Sequence, residues 1–229
     1  MEGQLILIDK PLEWSSFQAV NSLKWAIRKK FNLKKFKIGH AGTLDPLATG
    51  LLIICTGRFT KMIPELQDGI KEYTGSLTLG ATTPSYDLET EVDHTHPIDH
   101  ITPEAVLEAT KQFLGKIEQL PPMYSALKRE GKRLYELARE GKEVELKPRN
   151  VELFEFEITA VQLPRVDFRV VCSKGTYIRS LAHDFGKALG SGAHLTALRR
   201  TKIGDYNVDK AHTPSQYREK LGEGALNGQ

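Results

Sequence analysis

Gly39-His40-Ala41-Gly42-Thr43-Leu44-Asp45-Pro46-Leu47-Ala48-Thr49-Gly50 leads directly into the apolar run Leu51-Leu52-Ile53-Ile54-Cys55. A five-residue apolar run behind a Gly/Pro-rich segment reads as a loop feeding a strand. The glycines permit backbone conformations closed to other residues. Pro46 restricts the geometry around the Asp45 carboxylate. Asp45 is the first acidic residue since Glu13; between Trp14 and Leu44 there are seven Lys or Arg, His40, and no Asp or Glu. A lone carboxylate on a stiff frame, approached through a basic segment, points to a catalytic group in a site for a polyanion. Two other readings fit the same residues. Asp before Pro is how many helices begin, and one carboxylate after seven cations is also a plain counterweight. All three stay open on this stretch alone.

On its N-terminal side, Leu5 to Ile8 reads as a short buried-type strand ended by Asp9-Lys10-Pro11. Ser15 and Gln18 fit a capping box. Val20, Leu23 and Ile27 then recur at helical spacing, which predicts a helix over about 15–30. Lys24, Arg28, Lys29, Lys30, Lys34, Lys35 and Lys37 are interleaved with Trp25, Phe31 and Phe36. That segment suits a phosphate backbone, or else a solvated helix face.

On its C-terminal side, Thr60 can cap a short helix to about Leu66, and Tyr73 to Leu79 reads as a strand. An acidic loop follows at 81–101. Between 72 and 110 the chain has eight acids and no Lys or Arg. His94, His96 and His100 lie in that loop without a companion cysteine and read as structural or solvent-facing. Thr102-Pro103 starts a helix closed by Gly115. A short helix is expected near 132–140, in a second basic region at 128–149. Strands are expected at about 151–159 and 166–172. Ser173-Lys174-Gly175-Thr176-Tyr177-Ile178-Arg179 opens a helix ending before Gly190. Further strands read at 194–198 and 203–208, followed by a polar tail.

The 229 residues, 40% of them hydrophobic, suffice for a sizeable core. Cys55 and Cys172 each lie in apolar runs, so buried free thiols and a reducing compartment are expected. The apolar start is too short for a signal peptide, and no apolar run exceeds five residues, so a cytoplasmic protein is expected. No G-x-G-x-x-G or Walker pattern appears. The irregular alternation of elements predicts an α+β fold with a mixed, largely antiparallel central sheet flanked by helices and loops.

Taken together with Cys172-Ser173-Lys174-Gly175-Thr176-Tyr177-Ile178-Arg179, the opening stretch identifies a relationship. The chain resembles the TruB family of tRNA pseudouridine synthases. The similarity runs from Leu5-Ile6-Leu7-Ile8-Asp9-Lys10-Pro11 to about Val208. It includes Lys71-Glu72-Tyr73, Pro122-Met123-Tyr124-Ser125-Ala126-Leu127-Lys128 and Leu198-Arg199-Arg200. Ala41 and Thr43 depart from the bacterial type, which has Thr and Ala there.

The resemblance implies the pseudouridine synthase fold and isomerisation of uridine-55 in the T loop of tRNA, with no cofactor and no metal. It implies Asp45 as the catalytic carboxylate and Tyr73 as the aromatic stacked on the target base. Arg179 falls on the partner of that carboxylate, with Tyr177 beside it in the substrate pocket. His40 falls on the residue holding the splayed-out nucleotide, and Leu198 on an apolar wall of the pocket. The expected organisation is a catalytic domain over 1–208, with a basic RNA-contacting insertion at about 120–149. The 209–229 tail is too short for the PUA domain many members carry. Lys10, Lys34, Lys35 and Lys128 are expected RNA contacts, and the protein is expected to be a monomer whose partner is the tRNA T-arm.

This chemistry suits the residues. The base must leave its stack to react, and flipped bases are received on aromatics. A carboxylate serves as nucleophile or base, and an Arg can hold it by two hydrogen bonds. Attack on the base, attack on the sugar and proton abstraction from the ribose are all compatible with the set. Two alternatives share the motifs: the same isomerisation on another RNA, and a non-catalytic tRNA-binding or folding module. A DNA-binding protein lacks a recognition-helix or zinc-finger pattern.

Overall fold

The computed structural model describes residues 2–125, 128–129, 132–134 and 146–223. The side chain of Lys128 and the helix expected near 132–140 lie outside the described residues. The strands are β1 (Leu5–Lys10), β2 (Ile38–His40), β3 (Ala48–Thr56), β4 (Lys71–Leu79), β5 (Ala81–Thr82), β6 (His94–Thr95), β7 (Gly115–Gln119), β8 (Lys128–Arg129), β9 (Lys132–Arg133), β10 (Arg149–Gln162), β11 (Arg165–Cys172), β12 (Ala193–Ile203) and β13 (Tyr206–Asn207). The chain divides into two compact units. One comprises the residues up to Tyr73 and from Arg199 on; the other is Thr74–Leu198.

In the first unit the strands run β1-β3-β12, with β2 also on β3 and β13 on β12. β1 and β3 are antiparallel, Leu5 opposite Cys55 and Lys10 opposite Gly50. The apolar run 51–55 is unbroken because β3 is covered on both faces. Leu52 and Ile54 join Ile6, Ile8, Val20, Leu23 and Ile27 on one side. Leu51, Ile53 and Cys55 join Leu66, Ile203 and Val208 on the other. Each such side chain contributes about 1.5–3 kcal/mol by leaving water.

The helix Ser16–Lys30 carries the expected capping box: the Ser15 side chain accepts from Gln18 N, and Gln18 accepts from Ser15 N. The segment expected as a polar tail instead carries the helix Pro214–Glu223. Its Tyr217 is buried in the same cluster as Ile6 and Leu52. With only Tyr217 and Leu221 facing the core in ten residues, the period is too weak for that helix to show in sequence.

In the second unit the order is β12-β4-β11-β10-β7. β10 and β11 form an antiparallel hairpin, and β7 pairs antiparallel with β10, Gly115 opposite Leu153. Phe113, Phe156, Phe168 and Phe185 make edge and tilted ring contacts in its core. The helix Ile178–Ala188 buries Ile178, Leu181, Ala182 and Phe185. Gly75 is needed on β4, since a Cβ there would lie 2.5 Å from the Ala197 carbonyl oxygen and 2.8 Å from Phe168.

Three expectations change. The strand expected at 194–198 runs longer, as β12 (Ala193–Ile203), so Arg199 and Arg200 lie inside a strand rather than between two, and the strand expected at 203–208 shrinks to the short β13, paired antiparallel with the end of β12. Thr60 does not cap a helix; its hydroxyl donates to Gly57 O inside the 3-10 turn Gly57–Met62, and the helix follows at Ile63–Asp68. No helix begins at Asp45-Pro46, which form a turn running straight into β3. Backbone pairing with β1 outcompetes the helical start that Asp-Pro would allow.

Candidate active site

The Asp45 turn is fixed from several directions within the first unit. Gly42 has φ +95, a conformation that favours glycine. Ala48 N donates to Asp45 O at 3.1 Å, closing the turn, and Glu13 N donates to Pro46 O at 2.8 Å. Ser16, at the start of its helix, donates its hydroxyl to Leu44 O at 3.1 Å and accepts from Leu44 N at 2.8 Å. The helix start and the Asp45 turn are thereby one piece. Asp45 itself is half-buried.

Two buried cations complete the turn. Arg200, 2% exposed, donates from Nε to Leu51 O at 2.8 Å and from Nη2 to Gly42 O at 3.0 Å. A Cβ on Gly50 would lie 2.3 Å from Arg200 O, so glycine is required where the strands meet. Lys10 is fully buried. Its Nζ donates to Trp14 O at 2.5 Å, Pro11 O at 2.9 Å and Pro46 O at 3.3 Å. Burial is the main cause pulling its pKa down to about 8; attraction to Asp45 opposes this, and Arg200 adds to it.

Lys10 is therefore not a surface contact for RNA, contrary to expectation. An ammonium held by three carbonyls inside the protein cannot reach a phosphate, and its charge bears on Asp45 instead. Lys34 and Lys35 are exposed, as such contacts require.

His40 is half-buried on β2. Burial is the largest influence and lowers its pKa; Arg200 adds to this and the nearby Gly42 backbone opposes it. The ring is neutral at pH 7. Its Nδ1 is buried without a hydrogen bond of good geometry among the described residues. Tyr73 is buried on β4.

In the second unit, Tyr177 and Arg179 sit at the start of the helix Ile178–Ala188. Gln119 clamps Tyr177 on both sides of its backbone: Tyr177 N donates to Oε1 at 2.7 Å, and Nε2 donates to Tyr177 O at 3.0 Å. Ser180 Oγ donates to Leu120 O at 2.7 Å. Arg179 is 3% exposed. Its Nη1 lies 3.3 Å from Ser85 O and 3.5 Å from an Asp87 carboxylate oxygen. Asp87 is buried too, with Glu89 N donating to its other oxygen at 2.9 Å. Tyr86, between Ser85 and Asp87, has φ +63 and stacks on His183 with ring centroids 3.9 Å apart. Leu198 is half-buried on β12.

The structure thus brings Asp45 and His40 together on one loop-strand segment, and Tyr177 and Arg179 on one helix start. Sequence reasoning missed Arg200, Ser16, Gln119 and Asp87. Arg200 carried one usable signal, a cation in a motif now seen to be mid-strand. Asp87 carried none, being one of eight acids in its region. Cys55 and Cys172 are buried and free. Among the described residues no helix is long and apolar enough to cross a membrane.

Known proteins resemble this chain over nearly its whole length. Residues 28–178 match the TruB family pseudouridylate synthase N-terminal domain, and 179–222 match the tRNA pseudouridylate synthase B C-terminal domain. The tRNA pseudouridine synthase B of Flavobacterium johnsoniae is 64% identical over 222 residues, covering 96% of this chain and 97% of the relative. That of Phocaeicola vulgatus is 54% identical, covering 96% and 94%. Among solved structures, a chain of an H/ACA RNP bound to a substrate RNA containing 2′-deoxyuridine aligns with TM-score 0.71 at 26% identity. The alignment covers 100% of this chain and 56% of that one, so this chain spans little more than half its length. With two family domains meeting at the Arg179 helix and near-full-length relatives above half identity, the chain belongs to the TruB family of pseudouridylate synthases.

Proposed function

We propose that this protein isomerises uridine-55 in the T loop of tRNA to pseudouridine, with Asp45 as the catalytic carboxylate. The observation that carries the reading is the Asp45 turn itself, a carboxylate on a backbone clamped at Leu44 by Ser16, at Gly42 by Arg200 and at Pro46 by Lys10. A solvent-facing counterweight would need no such frame.

In the reaction the bond from ribose C1′ to N1 breaks and a bond from C1′ to C5 forms. N1 ends with a proton, and the C5 proton passes to solvent. No oxidant, water or group donor enters the balance. A fixed carboxylate contributes by being already placed where charge or a bond develops. Tyr73 is assigned the flipped base, stacking on its face. His40, held neutral by burial, is suited to a hydrogen bond with the splayed nucleotide rather than to a phosphate. Leu198 and Tyr177 are assigned the pocket wall, where they exclude water from a detached uracil. Arg179 as partner of the catalytic carboxylate rests on the family motif alone. Lys34 and Lys35 are assigned phosphate contacts. The protein acts as a cytoplasmic monomer in this reading, without cofactor.

A T-arm hairpin labelled with tritium at C5 of the target uridine tests it. The wild type releases tritium to water. Asp45→Asn lowers release by at least about 1,000-fold, the loss typical of a removed catalytic group, while hairpin binding stays within a few-fold. Substantial turnover by Asp45→Asn would remove Asp45 from the role.

A further inference from the structure

The helix Ser16–Lys30 buries Ala19, Val20, Leu23, Ala26 and Ile27. Its exposed positions are 17, 18, 21, 25, 28 and 29, which lie on one stripe at helical spacing. The stripe reads Phe17, Gln18, Asn21, Trp25, Arg28 and Lys29: two aromatics, two amides, two cations and no carboxylate. Phe17 is 69% exposed and Trp25 62%. Lys29 Nζ lies over the Trp25 ring, 5.2 Å from its centroid.

Aromatics this open cost solvation and add nothing to the core. Around them, Lys24, Lys30, Lys34, Lys35 and Lys37 extend the positive charge, and none of these cations forms an ion pair among the described residues. Two such faces from two copies would bring like charge onto like charge, which disfavours self-association through it. An aromatic platform ringed by unneutralised cations has the chemistry of a strand-binding surface, where bases stack and phosphates pair. Its position is also tied to the reaction. Ser16, next to Phe17, is hydrogen-bonded to Leu44 at both N and O. The stripe therefore begins beside the Asp45 turn and extends along a helix about 22 Å long.

We propose that this stripe docks the substrate RNA, with an unpaired base stacked on the Trp25 indole and backbone phosphates on Arg28 and Lys29. Phe17 supplies a second apolar platform nearer the turn. The inference rests on RNA being the substrate, and its test separates the two.

The chain has two tryptophans, Trp14 and Trp25, so Trp14→Phe leaves Trp25 as the sole indole reporter. The T-arm hairpin should quench its fluorescence, and polyphosphate of equal charge should not. Trp25→Ala should weaken hairpin binding about ten-fold, within the range for losing one stacked base, and Trp25→Phe should recover most of it. The single-turnover rate at saturating RNA should change less than two-fold. Unchanged affinity in Trp25→Ala, with a native circular dichroism spectrum, would overturn the proposal. So would equal quenching by polyphosphate, or a Trp25-dependent dimer in sedimentation, or Trp25-dependent binding of an acidic polypeptide with RNA binding unaffected. If the wild type releases no tritium yet binds through Trp25, the isomerase reading fails and the docking face stands. If tritium release is normal and Trp25→Ala binds as wild type, the reverse holds.

Discussion

The Asp45 turn and the Arg179 helix start both rest on buried cations, but the cations are satisfied differently. Lys10 and Arg200 are held by backbone carbonyls, five bonds in all. Carbonyls orient a cation without cancelling its charge, so both charges still act on their surroundings, and Asp45 opposes the loss of the Lys10 proton. Arg179 has a full carboxylate, Asp87, at 3.5 Å in addition to the Ser85 carbonyl. Its charge is balanced locally, and the pair works as an anchor for the helix start. One region stores net positive charge beside a carboxylate; the other fixes geometry at little net charge. The two should therefore fail differently when a partner is removed.

The largest effect is expected at Arg200. Arg200→Met keeps the volume but leaves the Gly42 and Leu51 carbonyls without their donors. At about 1.5 kcal/mol for each bond to a charged group, the loss is about 3 kcal/mol. Urea unfolding should show it, and tritium release should fall further than hairpin binding because the turn loosens. Unchanged stability would mean that the carbonyls are not what holds Arg200.

Asp87→Asn keeps the oxygen that accepts from Glu89 N but removes the charge facing Arg179. A loss of about 2 kcal/mol is expected. If the pair is an anchor, the midpoint of unfolding and the rate fall together. A rate loss at full stability would move Asp87 from anchoring to chemistry.

Lys10 gives a pH test of the stored charge. Its folded pKa of about 8 lies below the unfolded value of 10.5. Between those values the unfolded chain binds more protons than the folded one, so stability rises with pH across that window. Below pH 8 the cost of the buried ammonium is fully present. Turnover should move the opposite way, falling above about pH 8 as Asp45 loses its neighbouring charge. Lys10→Met should lose the rise in stability, and Lys10→Arg should keep turnover flat to higher pH. A wild-type profile without either limb would remove the charge on Lys10 from the mechanism.

The smallest effect belongs to the exposed cations. Each of Lys34→Ala and Lys35→Ala should weaken RNA binding evenly and reduce the salt slope by about one. Fluorescence anisotropy across a salt series reads it. An unchanged slope would leave those lysines as solvated surface.

What was legible in the sequence was whatever short-range physics writes locally. The Ser15–Gln18 capping box and the spacing of Val20, Leu23 and Ile27 located the first helix. The apolar run 51–55 located the central strand, and the Gly/Pro frame marked Asp45. The motifs around Asp45 and Arg179 carried the family. The illegible part consists of bonds that join side chains to backbone far along the chain. Arg200 reaches Gly42 158 positions away, and Arg179 reaches Ser85 94 positions away. No local pattern encodes such a bond, because a carbonyl acceptor has the same composition everywhere.

Lys10 shows the limit most clearly. By residue type a lysine belongs on the surface, and only the convergence of three carbonyls could bury it. The sequence alone determined which carboxylate stands on a rigid turn and which family the turn belongs to. The tertiary structure decided which charges are buried around it, because burial depends on what the rest of the chain brings near.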